Sequence, residues 1–176
     1  MKQQQSQTPA VKKNETDFDI LNMIIEDHKP LKQLIKVLKD DENDLHERKA
    51  AFKEFAVLLV THAKPEEQTL YVAMKKHEDL RASGFEGEVE HGIADQLIEE
   101  IKRTKNDDDL WSARVKVLAE IVEHHIEEEE EEMIPDFRKN SEIKERISLG
   151  QSFLNLKTKL LEKSGEDSPN EMTMKH

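Results

Sequence analysis

The chain of 176 residues contains no cysteine. This absence excludes a disulfide scaffold, a thiolate zinc site, an iron–sulfur cluster and a cysteine nucleophile, so any metal must be bound by His, Asp or Glu. Glycine and proline are scarce, with five of each, which argues against a turn-rich all-β fold. No apolar run is long enough to span a bilayer, so we expect no membrane partner. The first 16 residues lack the apolar segment of a signal peptide, and we expect a cytoplasmic protein.

The charge balance is acidic. The chain has 39 Asp and Glu residues against 27 Lys and Arg, a net charge of −12. A field of this sign repels phosphate backbones, so we expect no nucleic-acid partner. Charged residues make up 38% of the chain and apolar residues 35%. This composition indicates a small apolar core under a densely charged surface, and the length is typical of one domain.

Apolar residues recur at steps of three and four along most of the chain, which predicts helices and no strand. The expected breaks are an acidic linker at 40–44, the glycines of Ser83–Gly84 and Gly87, and a linker at 105–109. The five predicted helices cover about 17–38, 45–76, 88–104, 110–133 and 143–161.

These helices predict an all-α fold, with an antiparallel up-down four-helix bundle over residues 17–139. An additional amphipathic helix within residues 140–163 is expected to pack across the bundle. The polar segments 1–16 and 164–176 are expected to be disordered tails.

Two prolines lie inside predicted helices, each within one turn of a histidine. Pro30 follows His28, and Pro65 follows His62. A proline removes a backbone donor and kinks a helix at a cost of about 3 kcal/mol. Such kinks beside histidines indicate functional sites, with irregular helix segments that carry no chemistry as the alternative.

An offset of 63 residues relates the two halves of the bundle. It relates His28 to His91 and His62 to His125, and it also relates the acids in pairs: Glu66 with Glu129, and Glu67 with Glu130. The sequence therefore resembles two copies of one helix hairpin. Packing the copies about a pseudo-two-fold axis would bring corresponding residues to face each other.

Each hairpin also carries a histidine and a glutamate four residues apart, His62 with Glu66 and His125 with Glu129. Residues at this spacing lie about 40° apart on a helix, so each pair shares a face, which here is the apolar one. Burying an imidazole and a carboxylate is costly unless a metal compensates, and this donor set suits iron or manganese in helix bundles. The candidate metal ligands are His28, His62, Glu66, His91, His125 and Glu129. They suffice for two metals bridged by the two carboxylates, with open positions left over.

The stretch from about Ile20 to Phe137 resembles the hemerythrin-like (HHE cation-binding) domain family. The matching motifs are Glu26-Asp27-His28, His62-x-x-x-Glu66-Glu67 ahead of Leu70-Tyr71, Glu90-His91, and His125-x-x-x-Glu129-Glu130 ahead of Met133-Ile134-Pro135. The resemblance implies a four-helix bundle with a carboxylate-bridged centre of two non-haem irons per chain. It also implies that the four histidines are terminal ligands and that Glu66 and Glu129 are the bridges.

Oxygen-carrying hemerythrins have a further histidine on the third helix, where this chain has Asp95. The four-histidine, two-glutamate set is instead similar to that of bacterial di-iron proteins linked to nitrosative stress and iron–sulfur cluster repair. Those proteins carry an N-terminal segment with cysteines, and this chain has no cysteine, so the resemblance does not imply repair activity.

Some assignments stay open at this level. Helix geometry favours Glu129 as the bridge, and a local π-bulge could exchange it for Glu130. The histidines could pair as His28 with His62 and His91 with His125, or as His28 with His125 and His62 with His91.

Asp27 and Glu90 either orient a ligand or are solvated, and Asp95 is a weak ligand or a surface residue. Tyr71 and Trp111 are expected in the core, His46, His77 and His124 at the surface, and His176 in the tail.

The sequence favours a di-iron protein that binds or senses O2 or NO, or iron or redox state, with an unidentified redox partner. Two alternatives are a ferritin-like iron oxidase and a metal-free helical bundle that binds a protein partner. The ferritin-like pattern needs two Glu-x-x-His pairs, and this chain has one, Glu88 to His91. No pattern of catalytic residues decides whether the protein is an enzyme.

Overall fold

A computed structural model of the chain describes residues 18–166, and the side chains of residues 18–163. The predicted tail at 1–16, residues 167–176 of the second predicted tail and therefore His176 lie outside the described residues. The helices are α1 (Ile20–Lys39), α2 (Leu45–Gln68), α3 (Leu70–Met74), α4 (Arg81–Arg103), α5 (Asp108–Glu128), α6 (Ile134–Asn140) and α7 (Ile143–Glu166). A 3-10 turn (Glu78–Leu80) precedes α4, and a π-helical segment (Glu129–Met133) joins α5 to α6.

The described residues form an all-helical fold without strands, which confirms the predicted helical bundle with an extra C-terminal helix. The long helices α1, α2, α4 and α5 pack around one interior, each against the next, and α5 closes the ring against α1. The added helix α7 packs against α1 and α2. Over the part of the chain that the structure describes, no helix has the length and apolar character needed to cross a membrane.

Aspartates fix the starts of three bundle helices. The Asp19 carboxylate accepts a hydrogen bond from the Leu21 N–H, and the Asp44 carboxylate accepts one from the His46 N–H. Asp107 begins α5 in the same way. Each side chain satisfies a backbone donor that the first turn of a helix leaves unpaired, which is worth about 1 kcal/mol.

The predicted break at Ser83–Gly84 and Gly87 is wrong, because α4 begins at Arg81 and runs through both glycines. These glycines permit a close approach of helices. A Cβ on Gly87 would lie 2.7 Å from Cζ and from the hydroxyl oxygen of Tyr71, and a Cβ on Gly84 would lie 3.3 Å from the Tyr71 carbonyl oxygen. The absence of a side chain therefore lets α3 pack tightly on α4.

The second predicted helix, 45–76, is interrupted at Thr69, whose φ of −124° and ψ of −79° are not helical. The Thr69 hydroxyl donates to the Pro65 carbonyl at 2.7 Å, and its N–H donates to the Glu66 carbonyl at 3.0 Å. The chain re-enters a helix at Leu70, so α3 has a different rotational register from an uninterrupted α2.

Two apolar cores lie on either side of a polar layer in the bundle. The first core includes residues from all four bundle helices, among them Leu31, Ile35, Phe55, Leu59, Ile98, Trp111, Val115 and Leu118. The second includes residues from α1, α3, α6 and α7, among them Ile20, Leu21, Ile24, Leu70, Tyr71, Met74, Phe137 and Phe153. The polar layer between these cores contains the candidate ligands.

α7 is docked on the start of α1 by a close backbone contact and a buried ion pair. A Cβ on Gly150 would lie 1.8 Å from the Phe18 carbonyl oxygen, so only glycine permits this approach. The Arg146 Nε donates to Asp19 Oδ2 at 3.0 Å, and both side chains are nearly buried. The C-terminal helix is therefore an integral part of the fold.

Candidate metal centre

All six candidate ligands from the sequence converge in the polar layer and are buried, with exposures of 0–3%. The donor atoms form two groups, each contained within 4.8 Å. One group is His28, His62 and Glu129, and the other is Glu66, His91 and His125. Of the two histidine pairings that the sequence left open, the structure therefore has His28 beside His62 and His91 beside His125.

Each carboxylate lies between the two groups. Oε2 of Glu66 is 3.3 Å from Nε2 of His62 and 3.8 Å from Nε2 of His91. Oε2 of Glu129 is 3.2 Å from Nε2 of His28 and 3.5 Å from Nε2 of His125. Each glutamate thus contacts one imidazole from each pair, which is the placement that a carboxylate bridging two metals requires.

Several of these buried atoms lack a hydrogen-bond partner within the described part of the chain. They are Nε2 of His28, both ring nitrogens of His62, both carboxylate oxygens of Glu66, Nδ1 of His91 and Oε2 of Glu129. Leaving a buried polar atom unpaired costs about 1–3 kcal/mol, and more for charged groups. A pair of cations would satisfy most of these atoms at once, so the residues fit a metal centre.

Without a metal, the surroundings shift the pKa values of the two glutamates in opposite directions. Burial and the neighbouring Glu129 carboxylate raise the pKa of Glu66 well above its ordinary value of 4.5. Burial acts in the same direction on Glu129, but its interactions with His125 and then His28 outweigh burial and hold its pKa well below 4.5. Burial also lowers the pKa of His62 to about 4, so this imidazole is neutral at pH 7 and its nitrogen is available to a metal.

Acidic side chains contact the outer nitrogen of every ligand histidine. His28 Nδ1 is hydrogen-bonded to Glu130 at 2.9 Å, and His125 Nδ1 is hydrogen-bonded to Glu90 at 2.5 Å. The corresponding separations are longer in the other two pairs, 3.6 Å for His62 to Asp27 and 3.4 Å for His91 to Glu67. A hydrogen-bonded acid, as beside His28 and His125, keeps the proton on Nδ1 and leaves the Nε2 lone pair for a metal.

These four contacts obey the 63-residue offset. Asp27 contacts His62 as Glu90 contacts His125, and Glu130 contacts His28 as Glu67 contacts His91. The sequence left Asp27 and Glu90 as either orienting or solvated groups, and the structure places both on a histidine nitrogen. Each lies beside a histidine of a neighbouring helix rather than the histidine that follows it in the chain, and Glu90 is hydrogen-bonded to it.

Tyr71 is a site residue that the sequence interpretation assigned only to the core. Its hydroxyl donates to Glu129 Oε1 at 2.6 Å and lies 3.2 Å from Nε2 of His125 and 3.5 Å from Nε2 of His91. Burial and the carboxylates of Glu129 and Glu66 raise the pKa of Tyr71 well above 10.0, so the hydroxyl keeps its proton and remains a donor. On an uninterrupted helix Tyr71 would lie about 180° from His62, so helical spacing gave no signal for this role.

A π-helical segment occurs where the sequence left Glu129 and Glu130 as alternatives, but it does not exchange them. The Glu129 N–H still donates to the His125 carbonyl, so Glu129 keeps the face of that histidine and is fully buried. The wider turn follows, where the Ile134 N–H donates to the Glu129 carbonyl. Glu130 is 26% exposed and contacts His28 from outside the six-residue set.

The remaining candidates lie outside the two groups. Asp95 forms an ion pair with Lys64 at 2.5 Å and is 34% exposed. Glu88 is 41% exposed and bonds Lys75, so the ferritin-like Glu88–His91 spacing does not contribute to the centre. His124 is 66% exposed, as the sequence predicts for a surface residue.

These features define a class of protein, an all-helical bundle with a buried metal-binding centre of histidines and glutamates. The chain belongs to the hemerythrin family, because the model of the hemerythrin HHE cation-binding domain matches residues 19–137. This match confirms the resemblance found in the sequence. Comparisons with curated proteins and with solved structures gave no significant match.

Proposed function

We propose that the protein is a non-haem di-iron protein whose open metal positions bind or sense a small diatomic molecule, O2 or NO, or respond to iron or redox state. The observation that carries the proposal is the pair of three-donor groups, each with two imidazoles, and the two carboxylates that contact both groups. Imidazole and carboxylate donors suit non-haem iron. His28 and His62 would hold one iron and His91 and His125 the other, with Glu66 and Glu129 shared between them.

The donor count favours ligand binding. Two imidazoles and two shared carboxylates do not complete the coordination of an iron ion, so each iron keeps a position for an exogenous ligand. When bound, iron supplies a reversible change of oxidation state and affinity for diatomic gases. Asp95, at the position of the additional histidine in oxygen-carrying hemerythrins, is paired with Lys64 away from the centre.

The surroundings of the centre favour a small ligand. The candidate ligands are at most 3% exposed, and the two apolar cores enclose them from both ends of the bundle. A diatomic molecule can enter such an interior through small fluctuations, whereas a larger substrate would have to separate packed helices. The Tyr71 hydroxyl is the hydrogen-bond donor that holds the Glu129 carboxylate in place. We further propose a role in oxidative or nitrosative stress, where these gases and their products act.

Metal analysis of anaerobically purified protein tests the iron assignment. We expect about two irons per chain and, after oxidation, an absorption band of an oxo-bridged centre. His62→Ala and Glu129→Ala should each lower the iron content, because each removes a donor. Each should also destabilise the fold, because metal binding contributes to folding. His124→Ala is the matched control, since this exposed neighbour of His125 faces away from the centre.

Gas binding is tested separately on the ferrous protein. Addition of O2, and of NO in a second sample, should change the visible spectrum of the wild type and not that of His62→Ala. Wild-type protein without iron, or normal iron in both site variants, would overturn the di-iron proposal. Two bound irons with no spectral response to either gas would overturn only the proposed ligand.

A further inference from the structure

The C-terminal helix α7 reaches the metal centre, although it begins at Ile143 and the family match ends at residue 137. Its Phe153 is fully buried, and the ring packs edge-on against His62 with centroids 6.4 Å apart. Its Lys157 donates to a carboxylate oxygen of Asp27 at 2.5 Å. Asp27 is the acid beside Nδ1 of His62, so α7 contacts this histidine directly and through Asp27.

This contact breaks the symmetry between the two halves. The 63-residue offset relates Asp27 to Glu90, yet within residues 18–163 no lysine or arginine forms an ion pair with Glu90. The two acids also differ in their distance to the imidazole, 2.5 Å from Glu90 to His125 and 3.6 Å from Asp27 to His62. The acid that bonds a lysine is the one farther from its histidine.

The remaining two acids do not cancel this difference. Glu130, beside His28, bonds Lys32 at 2.6 Å. Glu67, beside His91, bonds Lys64 at 2.9 Å. Each of the two metal positions therefore has one acid paired with a lysine of the bundle. Lys157 of α7 is an additional cation at the His28–His62 position, with no counterpart at the other.

An acid that accepts from Nδ1 makes the imidazole a stronger donor to a metal through Nε2. A lysine that binds the same acid draws its negative charge away from the histidine and weakens this effect. The His62 imidazole should accordingly donate less strongly than that of His125. His28 and His91 do not offset the difference, because each is beside an acid that bonds a lysine.

Building on the proposed function, we propose that Lys157 makes the two metal positions unequal: through Asp27 it weakens the His62 donor, so the His28–His62 position binds a divalent metal less tightly than the His91–His125 position. Lys157 is then a positioning residue, which acts on a ligand without touching the metal. Phe153 supports it by closing the His62 side of the centre to water. The segment after the family domain would thus add a difference between the two positions to the one that Tyr71 makes on the His91–His125 side.

Titration of Co2+ into the metal-free full-length chain, followed by calorimetry and visible absorption, measures both positions. We expect two binding steps in the wild type. Lys157→Met should tighten the weaker step by roughly tenfold, within the range that changes next to a metal ligand produce. Asp27→Asn should loosen the same step, because it removes the charge that supports His62. Lys157→Arg should restore the wild-type separation, and the exposed Lys159→Met on the same helix is the matched control.

The two variants are expected to change the weaker step in opposite directions, tighter in Lys157→Met and looser in Asp27→Asn. A purely structural role would not give this result, since loss of packing by α7 would loosen the weaker step in both. Nitrogen-15 NMR of the metal-free protein gives a second readout, in which Lys157→Met should shift the His62 ring signals and leave those of His125 unchanged. An unchanged or looser weaker step in Lys157→Met, or unchanged His62 signals, would overturn the inference. Two metals bound with equal affinity by the wild type would also overturn it and leave the di-iron proposal intact, whereas a chain that binds no metal would overturn both.

Discussion

Replacement of Tyr71 by Phe tests whether the buried hydroxyl supports the metal centre. The substitution keeps the ring in its pocket and removes the hydroxyl, which donates to Glu129 Oε1 at 2.6 Å and lies within 3.5 Å of Nε2 of His91 and His125. Oε2 of Glu129 has no hydrogen-bond partner among the described residues, so the variant leaves both oxygens of a fully buried carboxylate without a donor. A hydrogen bond to a charged group is worth about 1.5–3 kcal/mol, and we expect the free energy of unfolding of the metal-free protein to fall by about that amount.

Urea denaturation followed by circular dichroism measures this loss of unfolding free energy, and Thr61→Val is the reference variant. The Thr61 hydroxyl donates to the Val57 carbonyl at 2.9 Å, a neutral hydrogen bond within a helix, so its removal should cost about 1 kcal/mol or less. Tyr71→Phe should cost more than Thr61→Val, because it removes a hydrogen bond to a charged group rather than to a neutral one. A loss below about 0.5 kcal/mol in Tyr71→Phe would show that the hydroxyl does not hold the Glu129 carboxylate.

Three further predictions concern close contacts and protons. Gly87→Ala should destabilise the protein by at least about 1–3 kcal/mol, because its Cβ would lie 2.7 Å from the Tyr71 hydroxyl oxygen; urea denaturation at wild-type stability would contradict this. Gly150→Ala should loosen α7, since its Cβ would lie 1.8 Å from the Phe18 carbonyl oxygen, and limited proteolysis should then cleave α7 faster than in the wild type. Metal binding should release protons, because the raised pKa of Glu66 keeps this carboxyl partly protonated above pH 4.5 until a metal displaces the proton. Apparent metal affinity should therefore fall with falling pH, and calorimetry in buffers of different ionisation enthalpy should find fewer protons released by Glu66→Gln; equal release by both proteins would refute the assignment.

The sequence was sufficient to predict the helical class and to select six candidate ligands, because both follow from periodic features. A step of four residues places His62 and Glu66 on one helix face whatever the rest of the chain does. The same holds for His125 and Glu129, and the 63-residue offset then identifies the helices that must meet. The structure brings these residues together in the two donor groups.

The sequence patterns gave wrong or incomplete predictions where two chain segments touch. Gly84 and Gly87 indicated a break because glycine usually ends a helix, yet in α4 they make room for Tyr71. Tyr71 itself was assigned only to the core, because the interruption at Thr69 rotates it from the far side of the helix toward Glu129. Neither effect follows from local periodicity, since the glycines depend on how closely α3 approaches α4 and the position of Tyr71 depends on the backbone at Thr69.

By itself, the sequence determined the helical class, the duplicated hairpin and the set of imidazoles and carboxylates, because helix geometry converts spacing into shared faces. Only the tertiary structure decided which histidines are neighbours, which acid supports each of them and that α7 contributes Phe153 and Lys157 to one side of the centre. Those contacts join residues as far apart as Asp27 and Lys157. They depend on the packing of helices, which the sequence periodicity of a single helix does not specify.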